Sequence, residues 1–232
     1  MKILVVNPNS TESMTNKIGE CARRVAGTGT KIIVTCPSDT PASIEGHFDA
    51  AVSIPSVIKL IRDGENNDCD GYVVACFDDP GIEVYRELVQ GPVIGVCEAA
   101  MRATAIIANS FSVVTTLPRS VPIIEDMVVK YGMERYCRRV RAANIPVLSL
   151  EEKGSEAHKS ILNEINRAVI EDHCEAVILG CAGMSDLTVR LSAESGVPVI
   201  DGVGVAVKMI EALIGAGLKT SKIGAYAQPI FK

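Results

Sequence analysis

Short runs of β-branched and aliphatic residues recur along the chain, each followed by a longer stretch where apolar positions return every three or four residues. KILVV (2–6), KIIVT (31–35), GYVVAC (71–76), VIGV (93–96), FSVVT (111–115), residues 138–142, AVILG (176–180) and VPVID (197–201) read as strands. Helical spacing fills the intervals near 11–25, 49–63, 81–89, 98–108, 120–131, 153–171, 184–194 and 203–216. Strands this uniformly apolar are covered on both faces, and their alternation with helices makes the sheets parallel. The predicted class is α/β.

The pattern also repeats. CDGYVVAC ends at Cys76 and CEAVILGC ends at Cys181, 105 positions later. GPVIGVCEAAM (91–101) resembles VPVIDGVGVAVKM (197–209), with Pro92 and Pro198 offset by 106. VVNP (5–8) aligns with VVTT (113–116) at an offset of 108. Three matches in one order at nearly one offset predict two pseudo-symmetric lobes, each a parallel sheet flanked by helices. The first lobe would span 1–96, completed by 203–232 from the C-terminal part, and the second 97–202. Chance likeness between buried Val/Ile strands is the bland alternative, and the alignment of strand-end residues argues against it. Ligands of open α/β sheets bind beyond the C-terminal strand ends. Asn7-Pro8-Asn9-Ser10, Cys76, Thr115-Thr116 and Cys181 all fall there, so two facing lobes would place both thiols on one cleft.

Composition narrows the picture. Hydrophobic residues make up 47% of the 232 and charged residues 22%, enough for a substantial core. A net charge of −5 without a basic stripe argues against a nucleic-acid partner. No apolar run reaches the roughly 18 residues of a membrane span, and MKILVVNPNS is too short for a signal-peptide core, so the expectation is a cytoplasmic protein without a membrane partner. Eight cysteines lie mostly in apolar surroundings, where a thiol behaves as a small hydrophobe. No Cys-x-x-Cys occurs and the histidines, His47, His158 and His173, are scattered, so no metal site is expected. GVGVAV (202–207) lacks the dinucleotide spacing, and no cofactor is expected either.

Two strand-end thiols on opposite sides of a cleft suit racemisation. One removes a proton from one face of a carbon and the other returns one to the opposite face, exchanging roles with direction. Cysteine pKa moves readily toward neutrality, for instance at a helix N-terminus, and each of these cysteines precedes a turn into a predicted helix. Backbone N–H groups in those turns would stabilise an enolate-like intermediate. Cys21, Cys36, Cys69, Cys97, Cys137 and Cys174 have no such pairing and read as structural.

NPNST near the start, SIEGHFD (43–49), ACFDDPG (75–81), FSVVTT (111–116) and LGCAGM (179–184) together resemble the hydantoin and allantoin racemases of the aspartate/glutamate racemase superfamily. The resemblance covers nearly the whole chain. It implies a two-lobed α/β fold, cofactor-independent racemisation at C5 of a hydantoin ring, and catalytic cysteines at Cys76 and Cys181. It further implies substrate contacts from Asn9, the Ile44, Glu45 and Gly46 segment, Phe77, Thr116, and the Ala182 and Gly183 backbone, and a homo-oligomer. Amino-acid racemases of that superfamily follow the first cysteine with Asn-Thr and the second with Thr. Phe77-Asp78 and Ala182-Gly183 stand there instead, which counts against free aspartate or glutamate.

Charge agrees. The five motifs contain no Lys or Arg, while Glu45, Asp78 and Asp79 would repel an anion, so a small neutral cyclic ureide fits better. Asp78 and Asp79 have a bland reading as a helix cap before Pro80, favoured for Asp79, and Ser10 and Thr11 as the cap of a helix beginning near Glu12. Phe77 reads equally as core, and His47, in a loop, either orients a substrate or faces solvent and is not assigned as a base. Three rival classes remain. A one-cysteine decarboxylase leaves the second thiol unexplained, a cysteine hydrolase lacks a neighbouring histidine, and a two-lobed binding protein gives no reason for paired thiols.

Overall fold

In the computed structural model, which describes residues 1–151 and 156–230, the two halves build the same sheet twice. The first holds β1 (Lys2–Val6), β2 (Lys31–Thr35), β3 (Gly71–Val74) and β4 (Val93–Gly95) in the order β2-β1-β3-β4. The second holds β5 (Phe111–Thr115), β6 (Cys137–Ala142), β7 (Ala176–Leu179) and β8 (Val199–Ile200) in the order β6-β5-β7-β8. Every pairing is parallel. The first half adds α1 (Glu12–Val25), α2 (His47–Asn66), α3 (Ile82–Leu88) and α4 (Val96–Ile107). The second adds α5 (Val121–Lys130), α6 (Ala157–Asp172), α7 (Thr188–Ser195) and α8 (Gly202–Gly215).

Strand alternation decides which core each side chain joins. Ile3 and Val5 point into one core with Val73, Ile94, Phe111, Val113 and Ile178, sealed by Ala99, Ala100 and Met101 of α4 and Val203, Ala206 and Val207 of α8. That core is continuous across both lobes. Leu4, Val6, Tyr72 and Val74 point the other way, onto Val57 and Ile61 of α2 and Ile82 and Tyr85 of α3. Val114, Val177 and Leu179 do the same in the second lobe, against Ile161 and Ile165 of α6 and Leu191 of α7. Each fully buried aliphatic side chain contributes roughly 1.5–3 kcal/mol. α8 packs against α1, α4, β3 and β4, and α4 also touches β7, so the two helices join the lobes.

Most expected elements appear within a few residues. α2 is longer than its apolar period suggests and runs through Pro55. Residues 182–187 form a 3-10 turn, so α7 starts at Thr188 rather than near 184. The helix expected over 153–171 is described from Ala157, its earlier residues lying outside the described ones. No helix among the described residues is long and apolar enough to cross a membrane.

Candidate active site

Each thiol sits two residues beyond its strand, Cys76 after β3 and Cys181 after β7. Each opens a tight turn: the Asp79 N–H donates to the Cys76 carbonyl at 3.0 Å, and the Met184 N–H to the Cys181 carbonyl at 3.1 Å. Both thiols line one pocket between the lobes, of about 30 Å³. Asn9, Ile44, Phe77, Thr116, Ala182 and Gly183 join them there, as expected from the sequence. Glu45 and Gly46 do not. Glu45 accepts from the Ser43 hydroxyl at 2.9 Å and donates its N–H to Asp49 at 3.0 Å, and Gly46 is the N-cap of α2.

Asn9 is held for contact. Its Oδ1 accepts from the Asn7 amide at 2.9 Å and from the Thr11 N–H at 3.0 Å, which leaves its Nδ2 facing only the Met14 sulfur at 3.4 Å. A thioether is a weak acceptor, so this donor stays available to a ligand. The expected hydroxyl cap on α1 is not formed. Thr11 is the N-cap residue but its Oγ1 donates to the Ala42 carbonyl at 2.6 Å, and the Ser10 N–H donates to the Pro41 carbonyl at 3.0 Å. These bonds tie the start of α1 to the segment carrying Ile44.

Asp79 also departs from expectation. Gly81, not Asp79, is the N-cap of α3. The Asp79 carboxylate turns instead to α4, accepting from the N–H groups of Cys97 at 3.1 Å and Glu98 at 2.9 Å, and from the Tyr131 hydroxyl at 2.8 Å. Pro80 removes an N–H at the start of α3, so that end needs the carboxylate less than α4 does.

The electrostatics run against the neutral-pKa expectation. Burial pushes Cys181 up to about 11, with Asp78 adding to it and the Gly183 N–H opposing. Cys76 is pushed well above the ordinary thiol range by burial first and by Asp78 next. Desolvation between the lobes outweighs the turn N–H groups. Asp78 itself, lining the pocket, is raised to about 6 by burial, His47 opposing. Asp79 is raised to about 7 by burial, its three donors opposing.

Sequence reasoning missed Met14, Ser120 and Val147, which reach the pocket from other elements. It also missed Arg119, whose guanidinium packs 2.7 Å from where a Cβ on Gly46 would stand. No cation was visible in the motifs because Arg119 lies three residues beyond FSVVTT. Tyr85, behind the Gly81 turn, buries a hydroxyl without a hydrogen-bond partner. Among the described residues no cluster of His, Cys, Asp and Glu is suited to a metal ion.

Two like parallel sheets, joined by helices and facing each other over a pocket with a thiol at the same strand end of each, make this a two-lobed α/β fold with its candidate site in the cleft. The model of the Asp/Glu/Hydantoin racemase family matches residues 3–210, and the chain belongs to that family. It is 55% identical over 232 residues to the hydantoin racemase of Rhizobium meliloti, covering 100% of this chain and 96% of that one. It superposes on allantoin racemase from Klebsiella pneumoniae with a TM-score of 0.98 at 46% identity, covering 100% and 95% of the two chains. For allantoin racemase from Pseudomonas fluorescens the TM-score is 0.96 at 39% identity, with 100% and 98% coverage.

Proposed function

We propose that the protein racemises 5-substituted hydantoins by two-base proton transfer at C5, with Cys76 and Cys181 on opposite faces of that carbon. The carrying observation is the pair of thiols, equivalent in two like sheets and lining one pocket. One thiolate abstracts the proton while the other, as thiol, delivers one to the far face. The enolate charge meets the turn N–H groups around Ala182 and Gly183, and the free Asn9 Nδ2 donor meets a ring carbonyl. Thr116, Ile44 and Phe77 line the rest of the pocket, which the carboxylate of Asp78 closes to anions. Glu45 and Gly46 act by carrying Ile44 rather than by direct contact. No cofactor takes part.

The 55% identity to a hydantoin racemase favours that substrate class. Allantoin, whose C5 carries a ureido group, is the second reading, favoured by the acceptor carboxylate of Asp78 in the pocket and by the allantoin racemases the fold superposes on. The proposed working form is a cytoplasmic homo-oligomer. Eight free cysteines suit a reducing compartment, and exposed Ile106 and Ile107 give α4 an apolar end. The proposed lobes are 1–96 with 203–232, and 97–202, and the packing of α8 on β3 and β4 supports that division.

The test is loss of optical rotation from L- and D-5-methylhydantoin and from allantoin in deuterated buffer, with C5 exchange read by NMR. Cys76→Ser and Cys181→Ser should each abolish racemisation while retaining exchange into one, opposite enantiomer. Wild type inert on all rings would refute the substrate class, and two racemising mutants would refute the thiol mechanism.

A further inference from the structure

The two halves fill the same pair of helix N–H groups with a carboxylate, but take it from opposite places. In the second half of the chain Asp201, the N-cap of α8, accepts from its own helix at Val203 (3.0 Å) and Gly204 (2.8 Å). In the first half the matching groups, on Cys97 and Glu98 of α4, are each 106 positions earlier. There the N-cap is Gly95, which has no side chain to offer. The carboxylate comes from Asp79, three residues past the thiol. A Cβ on Gly95 would stand 2.1 Å from the Asp79 carboxylate, so Asp79 occupies the space an N-cap side chain would take.

The consequence falls on the thiols. Asp79 closes the Cys76 turn through its backbone N–H, in a left-handed conformation at φ 44°, and locks that turn onto α4 and Tyr131 through its side chain. In the second lobe the Cys181 turn reaches its helix through one more link. The Ser185 hydroxyl lies 2.6 Å from Asp201 Oδ1 and 2.7 Å from the Ala182 carbonyl, while the Cys21 thiol donates to Asp201 Oδ2 at 3.0 Å.

We infer that Asp79 and the Ser185–Asp201 pair are positioning residues, each fixing one thiol, directly in the first lobe and through a hydroxyl in the second. This rests on the two-thiol reading above. Loosening one clamp then impairs proton transfer on one face of the substrate carbon and spares the other.

The experiment compares C5 exchange from each enantiomer of 5-methylhydantoin in wild type, Asp79→Gly, Asp79→Asn, Ser185→Ala and the double variant Asp79→Gly/Gly95→Asp. The enantiomer whose exchange disappears in Cys76→Ser marks the Cys76 face. In Asp79→Gly its exchange should fall on the order of ten- to a hundredfold further than that of its mirror image. Ser185→Ala should skew the ratio the other way. The double variant moves the carboxylate to the N-cap, as in α8. It should recover the melting temperature lost in Asp79→Gly without recovering Cys76-face exchange. Asp79→Asn, which keeps the side chain's volume and one acceptor oxygen, reports on the clamp should Asp79→Gly not fold.

The clamp is also read without substrate, by mass spectrometry of iodoacetamide labelling. Asp79→Gly should change the Cys76-to-Cys181 labelling ratio, and Ser185→Ala should change it in the opposite sense. Wild type inert on every ring sinks the proposed function and leaves this ratio to decide the clamp. Equal loss on both faces, recovery of exchange together with stability in the double variant, or an unchanged labelling ratio overturns the inference.

Discussion

Cys76 and Cys181 are partly exposed, but a pocket of about 30 Å³ holds a water or two rather than a substituted five-membered ring, so the expectation is that the lobes part to admit a substrate. The contact to break is identifiable. Lys17 of α1 donates to the Leu150 carbonyl at 3.0 Å and pairs with Glu151 at 2.9 Å, spanning first lobe to second beside the pocket wall. Lys17 is 29% exposed and Glu151 15%, so screening trims the ion pair, but the hydrogen bond to the carbonyl adds to it. Together they favour the closed form by about 1–2 kcal/mol, a factor of roughly five to thirty in the closed-to-open ratio. Lys17→Met keeps an apolar stem and removes both the charge and the donor to Leu150. Iodoacetamide labels the partly exposed thiols fastest where the lobes have parted. The second-order labelling of Cys76 and Cys181 should therefore rise together, by up to about thirtyfold, in Lys17→Met. Unchanged labelling of both thiols, with the variant folded, would show that these contacts do not hold the lobes shut.

Other substitutions probe separate parts of the argument. Asp78→Asn removes the carboxylate that pushes up both thiols, so the pH at which labelling rises should move down for each, and an unchanged profile would remove Asp78 from their electrostatics. Because burial raises Asp78 to about 6, the folded state holds the extra proton and stability falls as pH rises from about 4 to 6. Asp78→Asn should therefore gain about 1–3 kcal/mol over wild type at pH 7, and little at pH 4, by denaturant titration. Arg141→Met leaves Asp172, 4% exposed, with the Ser112 hydroxyl at 2.9 Å and Arg139 at 3.7 Å, and should cost about 2–4 kcal/mol at pH 8, less at pH 5 as Asp172 takes up a proton; equal losses would refute the pairing. Tyr85→Phe deletes a buried, unpartnered hydroxyl and should leave the melting temperature unchanged or higher.

What the sequence revealed and what it hid divide along one physical line. The strands and both thiols were legible because a buried parallel strand and its terminal residue are written in consecutive positions. The doubled frame ending in Cys76 and Cys181 needed only the chain's own offset. Asp79 was misassigned because its partners, Cys97 and Glu98, stand at the start of a different helix, and nothing near Pro80 records them. Met14 and Val147 were missed for the same reason, each brought to the pocket by packing between elements, whereas Ser120 follows FSVVTT by four residues and fell just outside the motif. The turn after Cys181 promised thiols near neutrality, but their pKa is governed by burial, a property of both lobes together.

That last reversal bears on how the reaction starts. The proposed mechanism needs one thiol without its proton, yet burial, the largest influence on each, pushes both above the ordinary thiol range. Were parting of the lobes to relieve that influence while the turn N–H groups stayed in place, the thiolate would form more readily in the open state, and ionisation would be linked to opening. It follows that Lys17→Met should do more than multiply the labelling rate. By populating the open form it should also move the labelling profile to lower pH, whereas a latch unconnected to thiol ionisation would raise the rate equally at every pH.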